Sequence, residues 1–244
     1  MIKQVVDGIL LVNKPQGITS NACLQTVKRL YQAKKAGHTG SLDPLATGML
    51  PICFGKATKL SQRFLDADKA YRAQGKLGVK TSTADALGDI IESKTDFQVT
   101  EVQLKTAISQ FQGLITQTPS QFSALKYQGK PLYYYARQGI VVPPKTRQVF
   151  IRALNYSNFD GVFFDIDVVC SKGTYIRNLV EDIGDLLGVG AHVTKLHRVY
   201  TGGFSQESMH TLDVLKEKTP EELAQCLLSF DYVSNVICTQ VPSG

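Results

Sequence analysis

The sequence predicts a mixed α/β (α+β) fold, and three observations carry that expectation. Its 244 residues suffice for one large α/β domain, or for a domain with a sizeable insertion. Strand-like runs recur along the chain: GILLVNK at 8–14, the alternating KAYRAQGKLG at 69–78, and a pair at 149–154 and 161–170. Between them lie stretches with apolar residues at helical spacing. The clearest is GTYIRNLVEDIGDLLG, where Ile176, Leu179, Val180, Ile183, Leu186 and Leu187 form one stripe.

The elements follow in order. Gly8 to Lys14 reads as a buried strand, and Pro15-Gln16-Gly17 as a turn in which Gly17 is free to take positive φ. Ser20 is the expected N-cap of a helix that carries Leu24, Val27, Leu30 and Tyr31. Lys28, Arg29, Lys34 and Lys35 cluster at its end. They either complement the negative helix terminus or face phosphate. The next loop, AGHTGSLDPLATGML at 36–50, sets one His and one Asp among three glycines and a proline. Asp43-Pro44 reads locally as an N-cap followed by Pro at the first helical position. Phe54-Gly55-Lys56-Ala57 hints at a P-loop, but the upstream glycine is displaced and no Ser or Thr follows Lys56, which argues against nucleotide hydrolysis.

In the strand at 69–78, Tyr71, Ala73 and Gly75 share a face. A turn-rich loop follows at 81–85, and 100–112 reads as a helix. Residues 119–140 interleave Tyr133, Tyr134 and Tyr135 with Lys126, Lys130 and Arg137, around a short helix between Pro131 and Gly139. Neighbours on a helix point in different directions, so the three tyrosines cannot all be core. Aromatic and basic residues together suit base stacking and phosphate contact; a surface helix with one buried tyrosine is the alternative. Arg177 falls in a helix's first turn, where the dipole disfavours a cation, so a compensating anion is expected. Glu181, four residues on, and the distant Asp43 are the options. Thr219-Pro220-Glu221-Glu222 opens a helix that runs through Phe230. Residues 231–244 read as a strand and a frayed end.

Composition bounds the function. The chain is 43% hydrophobic and 20% charged, as expected for a soluble globular protein. The apolar run Ile9 to Val12 is far too short for a signal-peptide core or a membrane span, so a cytoplasmic location without a membrane partner is expected. Five cysteines, at 23, 53, 170, 226 and 238, are odd in number and never in CxxC spacing. That argues against a disulfide framework or zinc site and for a reducing compartment. The net charge of +6 suits a polyanionic partner.

Taken together, KPQGITS (14–20), AGHTGSLDPLATGMLPICFGKATK (36–59), KAYR (69–72), TSTADALG (81–88), PSQFSALKYQGKPLYYYARQG (119–139), CSKGTYIR (170–177) and GAHVTKLHR (190–198) resemble, in order, the motifs of the TruB family of tRNA pseudouridine synthases. The resemblance runs from Gly8 to about Gly202-Gly203. It implies a large, mainly antiparallel central sheet flanked by helices and loops, with a thumb-like RNA-binding insertion at about 119–145. It implies a catalytic domain over 1–230, with 231–244 a linker or the truncated start of a C-terminal PUA domain. The implied reaction converts a T-loop uridine of tRNA, position 55, to pseudouridine without cofactor or metal. The partner implied is the tRNA T-arm alone, with a monomeric enzyme and no guide RNA or protein partner.

Roles follow by matched position. Asp43 resembles the family's catalytic aspartate, and Arg177 the arginine that holds it charged and oriented. Tyr71 resembles the tyrosine that stacks on the target uracil, and Leu196 the residue on the base's other side. Tyr175 would close the pocket or touch the backbone. His38 resembles the histidine that fills the space left by the flipped nucleotide. Lys126 and Arg137 would contact RNA, and the insertion is expected to be poorly ordered without it. Lys14 has a structural role in this reading. Ser82 and His197 depart from the pattern, the first from an acidic residue in some relatives, the second from an expected arginine. Three rivals remain: an RNA chaperone, a guide-dependent enzyme of dyskerin type, and an N-glycosidic hydrolase with Asp85 as its second carboxylate.

Overall fold

The computed structural model describes residues 4–118, 126–136, 138–143 and 146–238. Strand β1 (Gly8–Lys14) is followed by helix α1 (Ser20–Leu30), the short β2 (Ala36–His38) and β3 (Thr47–Phe54). A 3₁₀ turn and α2 (Ser61–Asp66) lead into β4 (Lys69–Leu77) and the hairpin β5 (Val79–Thr81) and β6 (Ile90–Ser93). Next come α3 (Glu101–Ser109), β7 (Gly113–Gln117), the small hairpin β8 (Lys126–Tyr127) and β9 (Lys130–Pro131), and α4 (Leu132–Ala136). The long strands β10 (Arg147–Phe159) and β11 (Phe163–Cys170) precede α5 (Ile176–Leu186) and β12 (Ala191–Thr201). Short strands β13 (Phe204–Ser205) and β14 (His210–Thr211) follow, then α6 (Leu212–Lys216), α7 (Pro220–Gln225) and α8 (Phe230–Cys238). The fold is mixed α/β on a large, mainly antiparallel sheet.

One compact unit comprises Met1–Tyr71 with Leu196–Gly244. Here β1 and β3 pair antiparallel from Gly8↔Phe54 to Lys14↔Gly48. β14 adds in parallel to β1, and β12 in parallel to β3 through His197↔Thr47 and Arg198↔Gly48. The unbroken Ile9 to Val12 run now has its reason. Leu10 and Val12 pack with Val27 and Leu50, while Ile9 and Leu11 pack with Met49 and Phe64. A strand buried on both faces needs apolar residues at every position. Each such side chain contributes about 1.5–3 kcal/mol.

The other unit is Arg72–Lys195. Its strands run in the order β4, β11, β10, β7. Gly75 of β4 is required by packing, because a Cβ there would lie 2.4 Å from the Phe164 ring. Helix α3 is fixed by a capping box between Thr100 and Gln103. Helix α5 buries Leu179, Val180 and Ile183 completely; Leu186 is 48% exposed, so the apolar stripe ends before it.

Several expectations need correction. Asp43-Pro44 starts no helix: the chain bends there and enters β3 at Thr47. The Pro44 carbonyl accepts from the Gly17 N–H at 2.8 Å, which takes it away from any helical ladder. Thr19, not Ser20, caps α1, accepting from the Ala22 N–H at 3.1 Å. Residues 230–238 are helical rather than extended. Val233 and Ile237, four apart, face the same core as Ile9, and this helical period outweighs their strand propensity. The helix expected to run through Phe230 instead stops at Gln225.

Candidate active site

The loop that carries Asp43 is fastened from both sides. Before it, the Ser20 Oγ accepts from the Leu42 N–H at 2.8 Å and donates to the Leu42 carbonyl at 3.0 Å. After it, the Gly17 N–H holds the Pro44 carbonyl, and the Ala46 N–H returns to the Asp43 carbonyl at 3.0 Å. Leu42, Leu45 and Ala46 are buried, and Asp43 itself is half-buried.

Two buried cations flank this loop. Lys14 is fully buried, its Nζ donating to the Pro15 and Ile18 carbonyls, both at 2.8 Å. It braces the turn that supplies Gly17, which is the structural role expected of it. Burial pushes its pKa down from 10.5 to about 8; the charge of Asp43 opposes the fall and that of Arg198 adds to it. Arg198 is 1% exposed and donates through Nε to the Met49 carbonyl at 2.7 Å and through Nη2 to the Gly40 carbonyl at 2.9 Å. Gly48, at φ +101°, makes room for it: a Cβ there would lie 2.3 Å from the Arg198 carbonyl oxygen. Gly48 therefore serves close packing on the Arg198 backbone.

His38 lies in β2, half-buried, its Nδ1 without a hydrogen-bond partner in the structure. Burial and then the Arg198 charge lower its pKa, which keeps the ring neutral at pH 7. Tyr71 is half-buried in β4, on the inward side with Ala73 and Gly75. Lys69, two residues earlier, donates to the Phe64, Leu65 and Ala67 carbonyls at 2.6–2.9 Å and so anchors the start of that strand. Leu196 is 7% exposed in β12. His197, next to it, contacts the Thr47 hydroxyl at 2.7 Å through Nδ1.

In the other unit, Arg177 is buried in the first turn of α5. Its Nη1 donates to the Thr83 carbonyl at 2.6 Å and lies 3.7 Å from Asp85 Oδ2. Asp85 is itself fixed, accepting through Oδ1 from the Thr83 hydroxyl at 2.7 Å and the Leu87 N–H at 3.0 Å. The anion that Arg177 called for in this unit is thus Asp85, at the end of the turn-rich 81–85 loop. Glu181 instead approaches Lys80, at 3.9 Å. Tyr175 caps α5 without a side-chain hydrogen bond. Its backbone is gripped by the buried Gln117 amide, which accepts from the Tyr175 N–H at 2.9 Å and donates to the Tyr175 carbonyl at 3.0 Å. Its ring packs under the Arg147 guanidinium, 5.3 Å from the centroid.

Of the expected RNA-binding insertion, Lys126 lies in β8, while Arg137 and residues 119–125 and 144–145 fall outside the described residues. The short helix expected there is α4, and Tyr134 is exposed on it, as the neighbour argument required. Lys130 sits 4.2 Å from the Tyr134 ring centre. Among the described residues, no group of three or more His, Cys, Asp or Glu could hold a metal ion, and no helix is long and apolar enough to cross a membrane.

The sequence singled out Asp43, Tyr71, Arg177, His38 and Tyr175. It missed Ser20's hold on Leu42, and it gave no role to Arg198 or Gln117. Each of these acts on backbone far away in sequence, and no local pattern announces that.

Comparison with known proteins bears on the same residues. Residues 28–176 match the TruB family pseudouridylate synthase N-terminal domain, and 177–234 match the tRNA pseudouridylate synthase B C-terminal domain. The chain is 55% identical over 226 residues to tRNA pseudouridine synthase B of Legionella pneumophila (strain Philadelphia 1), covering 93% of this chain and 75% of that protein. It is 50% identical over 239 residues to tRNA pseudouridine synthase B of Idiomarina loihiensis, covering 98% and 76%. Among solved structures, a Cbf5-Nop10-Gar1 complex matches with a TM-score of 0.73 at 28% identity, over 95% of this chain. This chain spans 63% of the matched chain in that complex, less than two thirds of its length.

Proposed function

Because this chain belongs to the TruB family of pseudouridylate synthases, we propose that it isomerises uridine 55 in the T-loop of tRNA, with Asp43 as the essential carboxylate. The bond between N1 and the ribose breaks, the uracil turns, and C5 bonds to the same ribose carbon. A proton leaves C5 and one is taken up at N1, so the product has the composition of the substrate. The target is shielded in a stacked loop, so the nucleotide must be flipped out. That costs a few kcal/mol, offset by stacking and phosphate contacts.

The observation that carries this reading is the setting of Asp43. Asp43 is half-buried on a loop fixed on both sides, and its charge is felt by a buried ammonium. A group that must act on a reacting nucleotide needs such a fixed backbone. In this proposal Arg177 supports the charge of Asp43, Tyr71 stacks on the uracil and assists proton transfer at C5, and Leu196 packs on the base's other face. Tyr175 closes the pocket, His38 fills the space the nucleotide leaves, and Lys126 and Arg137 contact the RNA backbone. The enzyme works in the cytoplasm as a monomer on tRNA alone, with no cofactor, metal or guide RNA. Asp85 speaks against the hydrolase alternative: it is buried and already engaged by Thr83, Leu87 and Arg177.

The test is tritium release from a T-arm stem-loop labelled at uridine C5, for wild type beside Asp43→Asn. Release by wild type and none by the variant, with RNA binding intact, is expected. Release by both removes Asp43 from the chemistry. Free uracil among the products restores the hydrolase.

A further inference from the structure

We infer that Ser20 is a positioning residue for the reaction, setting the backbone on which Asp43 acts; the inference rests on Asp43 being the essential carboxylate. A serine at the first position of a helix ordinarily turns its hydroxyl to water or to its own helix. Ser20 does neither. Thr19 supplies the cap of α1, and the Ser20 side chain is 4% exposed. Its hydroxyl is spent on one residue 22 positions away, accepting from the Leu42 N–H and donating to the Leu42 carbonyl.

The choice of target is what gives the contact meaning. Leu42 is the residue before Asp43, and its peptide carbonyl carbon is bonded to the Asp43 nitrogen. The two hydrogen bonds together fix the Leu42 backbone in both directions, so the Asp43 Cα cannot swing about it. Gly17, three residues before Ser20, holds Pro44 on the other side. The KPQGITS turn therefore grips the residue on each side of Asp43. Leu42 is itself buried, so without Ser20 its N–H and carbonyl would stay shielded from water and seek other partners by moving. The rate of a positioned reaction is sensitive to shifts of about 1 Å, worth roughly a hundredfold.

The two neighbouring hydroxyls make the experiment. Ser20→Ala removes the grip; Thr19→Ala removes only the helix cap. Turnover and half-saturation with T-arm RNA are measured for both, together with thermal melting and with Asp43→Asn. Ser20→Ala is expected to lower kcat roughly 10- to 100-fold with KM within about twofold and a melting loss no larger than that of Thr19→Ala, which keeps its kcat. Ser20→Thr, which retains the hydroxyl, is expected to recover most of the rate. Wild-type kcat in Ser20→Ala, or an equal kcat loss in Thr19→Ala, overturns the inference. Should Ser20→Ala not fold, Ser20→Cys carries the test, since a thiol fills the space but donates weakly; full activity there also overturns it. An active Asp43→Asn defeats the aspartate reading itself. An inactive Asp43→Asn beside a fully active Ser20→Ala defeats only this inference.

Discussion

The loop around Asp43 and the turn around Arg177 each hold a charged residue, the first through the peptide groups on either side of it, the second through contacts of its side chain. Around Asp43 the bonds go to flanking peptide groups: Ser20 to Leu42 and Gly17 to Pro44. Around Arg177 it is the side chain that is engaged: its Nη1 donates to the Thr83 carbonyl and lies 3.7 Å from the Asp85 carboxylate. In the proposed reaction, a backbone held on both sides sets where the Asp43 side chain starts from. A guanidinium carries its donors in one planar fork, so contacts at Nη1 also set the plane of the group.

The comparison breaks most readily at Gly48. Gly48→Ala drives a Cβ into the Arg198 backbone and strains a positive φ, for an expected loss of about 3 kcal/mol in denaturant unfolding. Near-wild-type stability there would mean the loop's support is not rigid. Next is Arg177→Lys, which keeps the charge but loses the fork. Turnover is expected to fall roughly a hundredfold, about 2.7 kcal/mol. Wild-type turnover would sink the case for side-chain fixation. Asp85→Asn, which keeps the Leu87 turn but removes the anion, should cost about tenfold in kcat, with a smaller change in KM.

A pH experiment sharpens the other half of the contrast. Lys14 titrates near 8 in the folded chain and near 10.5 when unfolded. The unfolded state therefore binds more protons between these values, and stability should rise with pH across that window. Activity should do the reverse, falling above pH 8 as the positive charge felt by Asp43 disappears. Rate and melting profiles over pH 7–10 check both, and Lys14→Met should flatten both. The smallest effect is expected at Gly37, where an added Cβ meets nothing within 4 Å. Gly37→Ala should stay within about 0.5 kcal/mol of wild type.

The sequence read well where the signal is periodic and poorly where it is not. The two-sided burial of Ile9 to Val12 and the stripe of α5 were visible because each is a local repeat of side chains. The cation in the first turn of α5 is a true signal: it calls for an anion, and within its own unit Asp85 lies 3.7 Å away, where local spacing points to Glu181. Thr83 and Asp85, two apart in a turn-rich loop, were the available clue. Asp43-Pro44 misled because that dipeptide suits a helix start and an irregular bend equally; the choice was made by Gly17 and Ser20, both distant in sequence. Arg198 acts on Gly40, 158 residues away, and a hydrogen bond of that span leaves no trace in spacing or composition.

Gln117 carries a consequence for how this chain can drift. Its amide gives one hydrogen bond and takes another from the same residue, Tyr175. Glutamate lacks the donor, lysine lacks the acceptor, and asparagine is one methylene short. Every one of these replacements breaks half of a matched pair in a fully buried place. Position 117 is therefore nearly a one-letter position, with almost no neutral alternatives, although its side chain need never meet the substrate.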